Sequence, residues 1–215
     1  MELEFPSKCV TAILGPSGSG KTTLLSCLTN SIQSNVVARA EINLPGLKAL
    51  VPQDDRLHGF YTVKSYMHHY AKLAGLRRTP ELASRIDDLL SQLGLTEQAD
   101  TIVGDIFLKG LSGGQKRRLS IALEALTGPQ ILFLDEPTSG LDAESALQVM
   151  EFLRTYVRSG VDRRVILTIH QPSSFIWLTI DHCILLSKAK LMYNGPREIM
   201  EAFFADTGYP TPAGW

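Results

Sequence analysis

No stretch of this chain approaches the ~20 consecutive apolar residues that a membrane-spanning helix requires. Met1 is followed by Glu2 and Glu4 where a targeting leader would place basic and then apolar residues. The expectation is a chain that does not insert into a bilayer by itself. Charge of one sign is also missing, because 21 basic and 22 acidic residues leave a formal net charge of −1. That balance gives no global electrostatic reason to expect nucleic acid or an anionic membrane surface. The local cluster Lys116-Arg117-Arg118 reads as a solvated helix face. Cysteine is scarce. Cys9, Cys27 and Cys183 sit among apolar residues without metal-like or redox-like spacing, so they read as buried reduced thiols facing a cytosolic environment. Internal repeats and low-complexity tracts are absent. What remains is 215 residues at 44% hydrophobic composition, enough for one large α/β domain or a domain carrying an inserted subdomain.

The stretch from Leu111 to Asp142 organises the rest. Leu119, Ala122, Leu123 and Leu126 fall at i, i+3, i+4 and i+7, which predicts a helix with one apolar stripe, and Ser112 is placed to cap its first turn. Gly113 and Gly114 put no side chain in the way of a ligand, and free N–H groups at a helix start attract anions. Taken alone, Ser-Gly-Gly equally describes an ordinary capped helix. After Gly128-Pro129, Ile131–Leu134 is a run of large apolar residues, as in a central parallel strand covered on both faces. Asp135 and Glu136 end that run at the rim where open α/β sheets bind ligands. Asp135 suits a Mg2+ shell, and Glu136 suits orienting or deprotonating a water that attacks a phosphoryl group.

Upstream, an apolar strand from Val10 to Leu14 runs into Gly15-Pro16-Ser17-Gly18-Ser19-Gly20-Lys21-Thr22-Thr23 and then a helix striped by Leu24, Leu25 and Leu28. The pattern G-x-x-x-x-G-K-[ST] is complete in its strand–loop–helix setting. Its backbone N–H groups can wrap a β-phosphate, Lys21 can reach β and γ oxygens, and the Thr22 hydroxyl can ligate Mg2+. Val36-Val37 and Glu41-Ile42 suggest a small edge hairpin, and Leu47–Val51 another strand, followed by Pro52 and Gln53. The Gln53 amide can reach a metal or the attacking water, although a glutamine after a strand is also common on a plain surface. Val63, Tyr66, Met67 and Tyr70 stripe one helix. Leu82, Ile86, Leu89, Leu90 and Leu93 stripe a second, started by Pro80 and stopped by Gly94. His68 and His69 read as surface residues. Two successive helices without a strand predict a helical subdomain from about Asp54 to about Leu126. Beyond Asp142, Ala146, Val149, Met150, Leu153 and Val157 stripe a helix ending at Gly160, and the strand Arg164–Ile169 delivers His170 to the rim of Asp135. An imidazole there can hydrogen-bond a γ-phosphate. A hairpin of His182–Ser187 with Leu191–Tyr193 follows, and then a helix opened by Pro196 with Ile199, Phe203 and Phe204 expected to face inward.

On these residues the chain resembles the nucleotide-binding domain of ATP-binding cassette (ABC) transporters. GPSGSGKT is similar to the Walker A loop, Gln53 to the Q-loop glutamine, and LSGGQ to the family signature. ILFLDE resembles the Walker B strand with its catalytic glutamate, Ser139-Gly140-Leu141-Asp142 the D-loop, and His170 the switch histidine. VPQDD, TIHQPSS and LLSKAKLMYNGP resemble subfamily G, the white/pigment-precursor and sterol or drug exporter group. The resemblance implies an α/β P-loop NTPase with a RecA-like, mostly parallel sheet core. It places the core at about 1–53 and 127–215, the helical signature subdomain at about 54–126, and a truncated N-terminal β-subdomain before them. It implies ATP and Mg2+ bound by Gly15 to Thr23, with Thr22, Gln53 and Asp135 on the metal and Glu136, His170 and Gln53 catalytic. A second such domain would meet the first head to tail, supplying Ser112, Gly113, Gly114, Gln115 and Asp142 in trans. A transmembrane domain, location on the cytoplasmic face of a membrane and no nucleic-acid partner are also implied. Only Met1–Val10 precede the Walker A strand, Ser65 and Ala189 replace an acid and a glycine common in the family, and the chain ends at Trp215. A fragment with weak turnover and no assigned adenine-stacking residue is therefore expected. The alternatives are a soluble ABC ATPase acting on ribosomes or DNA, or a truncated inactive ABC fragment.

Overall fold

Alternation along the strands decides how the sheet is covered. In β3 (Ile131–Leu134), Leu132 and Leu134 enter one buried cluster while Ile131 and Phe133 enter another on the opposite face. β1 (Val10–Leu14) and β4 (Arg164–Thr168) divide in the same way, with Ile13 and Ile166 facing the cluster of Phe133. Apolar residues on both faces make these strands continuous hydrophobic runs, as a sheet sandwiched between helices requires.

The computed structural model describes residues 3–29 and 43–209. The hairpin expected around Val36-Val37 and Glu41-Ile42 lies outside the described residues. With β2 (Lys48–Val51), β5 (His182–Ser187) and β6 (Lys190–Pro196), the strands form one sheet in the order β2-β3-β4-β1-β5-β6. All pairs are parallel except β5 with β6. The C-terminal ends of β2, β3, β4 and β1 therefore lie side by side, and they carry Gln53, Asp135-Glu136, His170 and the glycine loop in that order. The fold class is the expected α/β P-loop NTPase.

α1 (Lys21–Leu28) follows the loop and packs Leu25 and Leu28 on the Phe133 face. The helices of the middle of the chain begin at side-chain caps. Thr62 caps α2 (Val63–Leu73), and Thr79 with Pro80 at the first helical position caps α3 (Pro80–Gln92). Ser112 and Gln115 form a reciprocal capping box on α4 (Gly113–Leu126), and Asp142 caps α5 (Ala143–Arg158). Gly94, at φ 60°, ends α3 in the left-handed conformation that favours glycine. The apolar stripes of α2, α3, α4 and α5 are buried as expected, Tyr70 only in part. The short α6 (Ser174–Trp177) follows β4, and α7 (Met200–Asp206) closes the described chain.

Four expectations change. Lys116-Arg117-Arg118 is not one solvated face, because successive helical residues point about 100° apart. Arg117 is only 4% exposed. Its guanidinium donates to the carbonyl oxygens of Asp135 (2.6 Å), Pro52 and Gln53 (3.3 Å) and pairs with Asp55 at 3.2 Å. Arg118 donates to Leu93 O (2.9 Å) and Gln148 Oε1 (2.7 Å), tying α4 to the ends of α3 and to α5. In the last helical segment Ile199 and Phe203 are exposed, and only Phe204 and Met200 pack against the core. Cys183 is buried, but Cys9 and Cys27 are half-buried, and so are His68 and His69.

Between α2 and α4, the Tyr70 hydroxyl donates to Glu124 at 2.8 Å. Burial pushes Glu124 above the ordinary carboxylate range, against the opposing pull of that hydrogen bond. Burial and the same hydrogen bond push Tyr70 well above its ordinary value.

Two outcomes follow from this packing. Arg117→Ala leaves buried carbonyls without donors and is expected to lower stability by about 3 kcal/mol, seen as a lower urea midpoint at unchanged slope. An unchanged midpoint would contradict the role given to that guanidinium. Folded Glu124 holds its proton more tightly than the unfolded chain does, so its ionisation costs stability as pH rises from about 4.5 through the raised folded value. Glu124→Gln, which keeps an acceptor for Tyr70, is expected to raise the melting temperature at pH 7 and to leave it unchanged near pH 4.

Candidate functional site

The glycine loop between β1 and α1 is shaped by backbone that other residues adopt poorly. Gly15 (φ 146°) lies so close to β5 that an added Cβ would stand 2.2 Å from Leu186 O. Gly18 and Gly20 have φ of 74° and 97°, with open space where a side chain would be. Lys21, 7% exposed, folds back so that its ammonium donates to Gly15 O (2.9 Å) and Pro16 O (3.1 Å). An ammonium has three hydrogens, so one remains for an anion in the loop. The Ser19 hydroxyl is buried without a hydrogen-bond partner among the described residues, and the Ser19 carbonyl accepts from Ala189 N at 3.3 Å. Pro16, Ser17 and Gly18 are exposed, as are Thr22 and Thr23 at the start of α1. This is a preformed cradle of backbone N–H groups with one cation at its base, suited to a polyphosphate.

Across from it, the Thr22 hydroxyl lies 3.4 Å from Asp135 Oδ1. Asp135 is 6% exposed, and the same Oδ1 accepts from Thr168 Oγ1 at 2.5 Å. The Thr168 hydroxyl accepts in turn from Glu136 N at 2.9 Å. Glu136 has φ of 49°, in the left-handed region that costs a non-glycine residue about 1 kcal/mol or more, and its Oε2 lies 3.4 Å from Gln53 Nε2. Among the described residues no group of three or more His, Cys, Asp or Glu could hold a metal by itself. One buried carboxylate beside a hydroxyl and a phosphate cradle is nonetheless the donor set that suits Mg2+, which takes few protein ligands and completes its shell with phosphate and water oxygens.

His170, exposed beyond β4, stands between two cavities. One of about 380 Å3 is lined by Leu14, Gly15, Pro16, Gln171 and Trp177, and one of about 480 Å3 by Glu136, Ser139, Leu141 and Ile176. Gln53, Thr22, Lys21, Asp135, Glu136 and His170 are thus brought to one rim. The Ser112–Gln115 turn is not joined to the glycine loop by a hydrogen bond among the described residues. It abuts the Asp142 segment instead, since a Cβ on Gly114 would meet Leu141 at 3.3 Å and Ser145 at 4.0 Å. Ser112 and Gly113 are exposed. The Asp142 carboxylate, held below its ordinary range by hydrogen bonds from Ser145, accepts from Ser145 N at 2.9 Å.

The sequence reading placed Arg117 on a solvated face and gave Thr168 no role of its own. The signal for Thr168 was present, because a hydroxyl in the last position of a buried strand, two residues before His170, must find a partner.

The ABC transporter family model matches residues 1–139. Over 215 residues the chain is 41% identical to ABC transporter G family member 13 of Arabidopsis thaliana, covering 95% of this chain and 31% of that protein. It is 42% identical over 214 residues to G family member 11 of the same plant, with 95% and 30% covered. It is 39% identical over 215 residues to G family member 1 of Dictyostelium discoideum, with 94% and 27% covered. The chain thus spans about a third or less of the length of the curated relatives it matches. A solved chain from an inward-facing ABC transporter shares the fold at a TM-score of 0.74 and 24% identity, over 98% of this chain and 82% of that one. With the family model over well over half of its length, and G family members aligned with nearly all of it, the chain belongs to the ABC transporter family.

Proposed function

We propose that this chain binds and hydrolyses ATP as the nucleotide-binding domain of a subfamily G exporter on the cytoplasmic face of a membrane. The observation that carries the reading is the approach of the Thr22 hydroxyl to the Asp135 carboxylate beside Lys21. We place ATP along Gly15, Pro16, Ser17, Gly18, Ser19, Gly20, Lys21, Thr22 and Thr23. Mg2+ held by Thr22, Gln53 and Asp135 would supply positive charge against the phosphates. Lys21 neutralises phosphate charge, and Glu136 orients and deprotonates the attacking water. Gln53, in contact with Glu136, keeps that carboxylate and the water in register. His170 holds the γ-phosphate end and registers its departure. We divide the chain into a core of about 1–53 and 127–215 and a helical subdomain of about 54–126.

The exposed Ser112 and Gly113 favour a contact outside the chain's own site. We assign Ser112, Gly113, Gly114, Gln115 and Asp142 to the nucleotide of a second, head-to-tail domain. Among the described residues no helix is long and apolar enough to cross a membrane. Coupling to export therefore needs a transmembrane domain, for which Phe60, Ile106 and Phe107, at 70%, 90% and 92% exposed, offer apolar surface.

Glu136→Gln is expected to leave ATP affinity near that of the unaltered chain and to slow turnover by about 10²- to 10⁴-fold. Turnover at the unaltered rate would remove Glu136 from the role of base. Lys21→Ala removes the loop's cation and is expected to weaken ATP binding about tenfold or more, read by nucleotide titration. Equal affinity would place the nucleotide elsewhere.

A further inference from the structure

We infer that Thr168 is a positioning residue that sets the acids of this site, an inference that rests on the ATPase reading above. Thr168 ends β4, is fully buried, and lies opposite Ile13 in the register of β4 with the phosphate-loop strand β1. Its single hydroxyl hydrogen is committed to Asp135 Oδ1 at 2.5 Å, and one lone pair to Glu136 N at 2.9 Å. One group therefore clamps two successive residues in different ways, the side chain of the first and the backbone of the second.

Each half of the clamp has a consequence at the reacting centre. Among the described residues the hydrogen bonds to the Asp135 carboxylate both reach Oδ1, from Thr168 and from Thr22. Oδ2 is left without a protein donor, and a carboxylate turned this way offers that oxygen to a cation. The Glu136 amide, held by Thr168, fixes a residue whose φ of 49° would otherwise relax toward the common regions. That conformation carries the Glu136 carboxylate to 3.4 Å from Gln53. Thr168 is two residues from His170 on the same chain segment, so the clamp also fixes β4 against β3 where both strands release their site residues.

The test compares Thr168→Val, which keeps the branched shape but removes the hydroxyl, with Thr168→Ser, which keeps the hydroxyl. ATP binding is titrated with Mg2+, and turnover is followed where the unaltered chain shows it. Thr168→Val is expected to raise the Mg2+ concentration for half-maximal ATP binding about tenfold and to lower kcat about tenfold, with KM for ATP at saturating Mg2+ changed less than about twofold. Thr168→Ser is expected to restore both within about twofold. If Thr168→Val proves unfolded by its melting curve, Thr168→Cys, a weak donor of similar size, is read in its place. A Mg2+ midpoint unchanged in Thr168→Val overturns the inference, as does equal impairment in Thr168→Ser, which would make shape the requirement. Failure of the unaltered chain to bind ATP, or Glu136→Gln turning over at the unaltered rate, would instead overturn the ATPase reading itself.

Discussion

Parallel pairing of β2, β3, β4 and β1 is the constraint on which the rest of the molecule depends. Four adjacent strands running in one direction must release their chains at the same edge, so polar residues far apart in sequence meet there without long excursions. Each crossover then has to travel back along a face of the sheet, which is why helices cover both sides and why the strands are apolar throughout. β6, antiparallel to β5, lies at the far edge of the sheet and delivers none of these residues to the rim. Its turn still matters, because Ala189 N reaches back to the Ser19 carbonyl and braces the phosphate loop from outside.

Bringing polar residues to one edge creates a second problem, since their backbone groups must be satisfied where strand pairing stops. Arg117 answers it with one planar fork, reaching the Asp135 carbonyl between the two acids and the Pro52 and Gln53 carbonyls after β2. Asp55 tempers the buried charge. A lysine would bring a point charge and no fork, which matches poorly with acceptors on two separate strands. Thr168 performs the complementary task on the carboxylate side, so the Asp135 residue is held through its carbonyl by α4 and through its side chain by β4.

Much of this was legible in the letters. Gly15–Thr22 declares both a loop and the helix it opens, because its glycines are needed where φ is positive. Pro80 and Ser112 announced helix starts, the first through its fixed φ and the second through a short polar side chain that satisfies free N–H groups. Arg117 was hidden for a definite reason. Three adjacent charges on a helix give no clue to which one turns inward, and two of its acceptors, Pro52 O and Gln53 O, are 65 and 64 residues away. Ile199 and Phe203 failed differently. An apolar stripe tells which face of a helix is apolar, but it does not tell whether anything lies over it. For Thr168 the letters show that a hydroxyl ending a buried strand needs a partner, but which partner it takes emerges only when β4 is known to lie between β3 and β1.

The two ends of the signature segment now acquire a mechanical relation. Ser112 is exposed at the start of α4, and Arg117 is buried five residues on, about 7.5 Å along the axis at helical rise. A single helical turn and a half therefore separates the proposed contact with another domain's nucleotide from a guanidinium bonded to Asp135. Short helices do not bend readily over such a span. Movement of the Ser112 turn toward or away from a partner must either carry Arg117 with it, straining bonds to Asp135 and Pro52, or leave α4 fixed and move the sheet instead. On the proposed head-to-tail reading, occupancy of that outer contact would reach the acids of the chain's own site through a helix and one buried cation.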